Sequence, residues 1–186
     1  MKLRSTQFAL FVFFFAAFAG ALSPSDGHVA RGIYTNSFFH LSYALPANFH
    51  PQTLAEMNLP SGSQRGVEFF LLAARQGDNP YGIIMIAEKT RALTSDRRDF
   101  QNAADFIAHV KRGFDPSYTW KPLGEKHLTN PSGLEIDEFD YVIAGEYSSA
   151  IVVTLDGYLI AARCNASNAA DLKIMTDSLI AMRHTK

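Results

Sequence analysis

The chain has 186 residues, 47% of them hydrophobic and 19% charged, a balance that excludes an intrinsically disordered protein. Its 17 Lys and Arg against 18 Asp and Glu give a formal net charge of −1, which argues against a nucleic-acid binder or a polybasic membrane-surface protein. A single cysteine, Cys164, excludes an internal disulfide.

Lys2 and Arg4 precede an unbroken apolar run from Phe8 to Ala19. A positive start, a short apolar stretch and an A-x-A end predict a secretory signal peptide over 1–19, or over 1–21 if the cut follows Ala19-Gly20-Ala21. The run is shorter than the ~20 residues a spanning helix needs, so no stable membrane insertion is expected after cleavage. An uncleaved N-terminus would instead give a membrane-tethered protein. Removing 1–19 takes away two basic residues and leaves 15 basic against 18 acidic, in a mature chain of about 167 residues. That length suits one domain with a core of its own.

Residues 22–31 are polar and turn-prone, so 20–31 is expected to be a flexible lead-in before a single domain over 32–186. A short strand is predicted over 33–35. Phe39, Leu41, Tyr43 and Leu45 alternate with less apolar residues, the period of a half-buried strand, which Pro46 ends. Pro51 suits the first turn of a short helix over 51–58. A Gly- and Ser-rich loop at 60–65 leads to a strand over 67–74. The apolar run 83–87 follows, as in a strand covered on both faces and paired with it as a hairpin. Phe100, Ala103, Ile107 and Val110 then fall on one face of a helix over 95–113, with Ser95 as its cap, Asp96 and Asp99 in the first turn and Gly113 closing it. Its opposite stripe, Arg98, Asp105, His109 and Arg112, is predicted to be solvated.

The remaining elements are a segment at 118–123, a turn at 130–133, and strands over 135–144, 150–155 and 158–163. Phe139, Tyr141 and Ile143 share one face of the first of these. Asp156-Gly157 is a two-residue hairpin turn. A closing helix starts near Ser167 or Asn168 and buries Leu172, Met175, Leu179 and Met182. Short turns between successive strands make the sheet largely antiparallel. The expected fold class is α+β: two principal amphipathic helices packed on that sheet, an α/β/α-type sandwich.

Particular residues carry a resemblance: Gly32-x-Tyr34-x-Asn36, Phe39-x-Leu41-x-Tyr43-x-Leu45-Pro46, Phe139-x-Tyr141, and Asp156-Gly157-Tyr158 before a closing helix. Over about residues 32–183 this resembles the PsbP/Mog1-like superfamily, with Phe49 where that family often has Trp. The resemblance implies a compact sandwich and a non-catalytic accessory or binding role, and it transfers no catalytic residue.

The residues themselves offer few chemistries. The sequence contains no G-x-S-x-G elbow, P-loop or dinucleotide fingerprint, and its six histidines include no i, i+4 helical pair. Cys164 is either a small core residue or, beside Arg163, a redox or dimer-forming thiol. Asn165-Ala166-Ser167 matches a glycosylation acceptor. Trp120, with Tyr118, Lys121 and Lys126, either covers one end of the core or offers a partner surface. Glu135, Asp137, Glu138 and Asp140 crowd one strand, and Glu138 and Asp140 point the same way. The pair is a solvated outer face, a weak site for a divalent cation such as calcium, or an acid–base pair. The expected function is a secreted or periplasmic, monomeric, non-catalytic accessory or binding module for an unidentified protein or small ligand. The alternative is a small secreted hydrolase using Glu138 and Asp140.

Overall fold

A computed structural model describes residues 22–53, 55–56, 68–77, 79–90, 100–114, 117 and 119–185. The expected signal peptide, the loop at 60–65, Ser95 with its first-turn acids, Arg98 and Tyr118 lie outside the described residues.

The two apolar runs in the first half form β5 (Glu68–Gln76) and β6 (Gly82–Lys89), paired antiparallel. They belong to a seven-stranded sheet of order β4 (Phe49–Pro51), β5, β6, β10 (Tyr158–Ala166), β9 (Glu146–Leu155), β8 (Glu135–Ile143), β7 (Trp120–Thr129). Every neighbouring pair is antiparallel. Asp156-Gly157 joins β9 to β10 with φ of 50° and 79°, the doubly positive turn its sequence predicts. Ala144-Gly145 turns β8 into β9 the same way, with φ of 51° and 86°.

A second sheet was not legible in the sequence. It has four strands in the order β1 (Gly27–Ala30), β2 (Ile33–Asn36), β3 (Leu41–Ala44), β11 (Arg183–His184). The expected flexible lead-in is therefore ordered over Gly27–Ala30, which ladders onto β2. Gly27 is required there, because a Cβ at that position would strike the Tyr34 ring. The strand expected from Phe39 begins at Leu41. Residues 37–40 form a turn held by the buried Asn36, whose Oδ1 accepts from Phe39 N at 3.0 Å and whose Nδ2 donates to Pro24 O at 2.7 Å. The helix expected over 51–58 does not start at Pro51, which ends β4, an edge strand, where its missing N–H costs no ladder bond; residues 54, 57 and 58 of that expected helix lie outside the described residues.

The helices cover opposite faces of the large sheet. α1 (Ala103–Arg112) is capped by Asn102, whose Oδ1 accepts from Asp105 N at 3.0 Å, and closes at Gly113 as its sequence predicts. It packs Ala103 and Ile107 against Phe139, Tyr141, Val152 and Leu159. α2 (Ala169–Ile180), capped by Asn168, places Leu172, Met175 and Leu179 on the other face, in one core with Ile136, Ile160, Tyr34, Leu41 and Tyr43. The small sheet thus shares the α2 side. Asn130 ties this side together: its Nδ2 donates to Ile180 O at 2.9 Å and Met182 O at 2.7 Å, fastening the end of α2 to the β7–β8 turn.

The long edge strand β7 is exposed over 121–127. Pro122, a register shift between Pro122 and Gly124, and Lys121 and Lys126 blunt it against pairing with another chain.

Candidate functional site

Strand parity sorts the acidic run into two groups. Glu135 and Asp137 lie on the α1 face, where His127 meets both: Nε2 is 3.1 Å from Glu135 Oε2 and Nδ1 is 2.9 Å from Asp137 Oδ1. Those bonds, Asp137 foremost, raise the His127 pKa above its ordinary 6.5. Glu138 and Asp140 lie with Ile136 on the α2 face. The expected solvated outer strand face is corrected here, since Glu138 is only 1% exposed and Asp140 18%. β8 is not the edge strand, and β7 covers its flank.

The pair is not an open seat for a cation. Lys126, directly opposite Glu138 in the ladder, puts Nζ 3.0 Å from Glu138 Oε2 and 3.4 Å from Asp140 Oδ2. The chain's own ammonium stands where the cation reading, one of three, would put a divalent ion, and no described group of three His, Cys, Asp or Glu is placed to hold a metal. Burial holds the Glu138 carboxyl above the usual carboxylate range, against the pull of Lys126 and with a push from Asp140. Asp140 Oδ1 and Ser149 Oγ, cross-strand neighbours, are buried with no described partner.

Cys164 continues this row across the sheet, opposite Ser149 on β9. It is fully buried, and that burial pushes its thiol well above the usual range. Arg163 projects to the opposite face and does not activate it. The core reading of Cys164 therefore stands over the redox one. Cys164→Ser is expected to fold and to cost about 1 kcal/mol, the low end for a buried hydroxyl, because Ser149 Oγ is available beside it. Urea unfolding checks the cost. A disulfide dimer of the parent on a non-reducing gel would instead place the thiol on the surface.

On the α1 side, Trp120 packs against Phe114 with ring centroids 4.6 Å apart and edge-on to Phe139 at 6.4 Å. It covers one end of that core, as one of its two sequence readings has it. His109, expected on a solvated stripe, is half-buried against Phe100 at 5.1 Å.

Next to this aromatic group lies a cavity of about 520 Å³ between α1 and the sheet. Its floor comes from three strands in register. Arg163 on β10 stands opposite Ile84 on β6 and Ala150 on β9, and Ala161 stands opposite Ile86. The short side chains at Ala150 and Ala161 leave room above the sheet that larger residues would fill. Phe106, Val110 and Phe114 form the helix-side wall. His109 and Arg163 are its basic lining residues, and no described carboxylate lines it. A smaller pocket of about 220 Å³ lies at the start of α2, between Phe49, Tyr81 and Asp171. Glu138 and Asp140 line neither of these.

The solution structure of cyanobacterial PsbP (CyanoP) from Synechocystis sp. PCC 6803 superposes with a TM-score of 0.54. The alignment covers 89% of this chain and 96% of that one at 12% identity. The fold is PsbP-like. It is α+β with largely antiparallel sheets and, among the described residues, two helices, as both the patterning and the resemblance imply. No family model matches the chain, and no curated protein matches it. Among the described residues of this PsbP-like chain, no helix is long and apolar enough to cross a membrane.

The cavity was missed at the level of sequence. The one signal for it was the pair of short side chains Ala150 and Ala161, two residues along their strands from the larger Val152 and Leu159.

Proposed function

We propose that the protein is an exported, non-catalytic binding module whose ligand occupies the cavity between α1 and the seven-stranded sheet. The cavity carries this reading. Its volume falls within the ~300–1,000 Å³ of small-ligand sites, and its lining is apolar with a few polar groups. The N-terminal signal pattern supports export, and the PsbP-like fold is compatible with a role that makes or breaks no bond.

The hydrolase alternative rests on the raised carboxyl of Glu138 alone. A general acid must reach its substrate, and this carboxyl faces Lys126 rather than a described cavity. The binding reading is therefore favoured.

Nile red, an uncharged apolar dye, tests it. The parent is expected to bind the dye with a blue-shifted emission, and Ala161→Phe, which fills the cavity, to bind it at least tenfold more weakly while keeping its circular dichroism. Ile84→Trp fills the same space from the next strand and guards against a misfolded first variant. Equal dye binding by the parent and both folded variants would refute the cavity. The exported protein should begin at Gly20 or Leu22, and a chain retaining Phe11–Phe15 after export would refute the leader.

A further inference from the structure

We infer that the ligand of this cavity is a small amphipathic anion, an apolar body carrying one carboxylate or comparable monoanionic head. The inference rests on the binding reading above and adds the charge of the ligand to it.

Charge is the deciding observation. Eleven of the 13 lining residues are Ala, Val, Ile, Phe, Tyr or Gly, so the body of a ligand meets hydrocarbon and rings. The charged side chain at the wall is Arg163, and the other basic one is His109. Anionic side chains are missing from the described lining, although the chain as a whole has a small acidic excess. Among the described residues a cationic ligand finds no carboxylate there, and a neutral one makes no use of the guanidinium.

Arg163 is also placed for the task. Its Nε donates to Asn165 Oδ1 at 3.3 Å, and Asn165 Oδ1 in turn accepts from Ser148 Oγ at 2.9 Å. These bonds hold the root of the guanidinium at the end of the cavity floor. No described carboxylate lies within ion-pair distance of it, in contrast to Lys111, Lys126 and Lys173, each of which has one. A planar guanidinium with two terminal nitrogens uncommitted to a carboxylate matches a carboxylate head bidentately. Arg163 is solvent-exposed, so the head remains at the water boundary while the body enters between Ala161 and Phe106. The head-group pairing is then sensitive to salt and the body's burial is not.

The test uses three probes built on ten-carbon chains that differ in the head: decanoate, decanol and decyltrimethylammonium, all below their micellar concentrations. Binding is followed by the emission of Trp120, the chain's single tryptophan, which packs on the cavity-wall residue Phe114. The parent is expected to bind decanoate at least tenfold more tightly than either other probe at low salt. Arg163→Gln should bring decanoate to within about twofold of decanol and leave decanol unchanged. Raising sodium chloride should weaken decanoate in the parent and not in the variant. Decanoate no tighter than decanol, or a preference that survives Arg163→Gln, overturns the anion assignment while decanol binding upholds the cavity as a site. If no probe binds the parent, the cavity reading falls with it.

Discussion

Leu179→Asp is expected to abolish cooperative folding, or to lower the thermal midpoint by roughly 10–20 °C. Leu179 is 0% exposed, on the inner face of α2 between the large sheet and the small one. Truncating a buried leucine costs about 2–5 kcal/mol, and an unpaired carboxylate in its place adds desolvation that a domain of about 5–15 kcal/mol total stability cannot absorb. The consequence spreads beyond the helix. The end of α2 is fastened by Asn130, and β11, two residues further on, closes the small sheet against β3. Displacing α2 therefore unseats both. Ile174→Asp on the same helix is the control: Ile174 is 54% exposed, and the change is expected to stay within about 0.5 kcal/mol. A Leu179→Asp midpoint within a few degrees of the parent would show that α2 is not docked through this face.

What was legible in the sequence was whatever a single strand or helix dictates by itself. The run 83–87 has no plausible solvent face, so it marks an inner strand, and β6 lies third in a sheet of seven. Asp156-Gly157 encodes its own turn. Ala144-Gly145 encodes it less openly, because alanine adopts positive φ only at a cost of roughly 1–2 kcal/mol that the paired strands on either side must offset. β11 is two residues long and exists only because β3 is beside it. β7 is an edge exposed from Lys121 to His127 and meets the cores only through Trp120 and Leu128 near its ends, so its residues carry no period to detect.

The same limit applies to the sites. Spacing alone places Glu138 and Asp140 on one face, but the face is set by Ile136 two residues earlier, which is buried under α2. Judging the acids by their own charge suggested an outer face. The apolar neighbour of the same parity decided it otherwise, at the expense of a desolvated carboxyl. The cavity is one step further from the sequence, since it needs Ile84, Ala150 and Ala161 brought together from three strands whose register is a property of the whole sheet.

Lys126→Met is expected to destabilise the protein by about 2 kcal/mol at pH 7.5, roughly 4–8 °C in the midpoint, and by much less at pH 4.5. The magnitude is set below the ~3–5 kcal/mol of a fully buried pair because the Lys126 side chain is 56% exposed and water screens it. The pH dependence follows from Glu138. Its pKa is raised above the ordinary 4.5 by burial, so the folded protein holds the Glu138 proton more tightly than the unfolded chain does. The contribution of this carboxyl is thus favourable below pH 4.5 and is lost as pH rises through its folded value. Lys126 opposes that loss by hydrogen-bonding and neutralising the charged form. Without the ammonium the folded pKa climbs further, and the penalty at pH 7.5 grows while the protonated state at pH 4.5 is little affected. Glu138→Gln in the Lys126→Met background should restore most of the lost stability at pH 7.5, because the amide keeps the shape of the side chain and carries no charge to desolvate. Equal losses at both pH values, or no restoration by Glu138→Gln, would mean that Lys126 acts through the packing of its alkyl stem and not as the countercharge of Glu138.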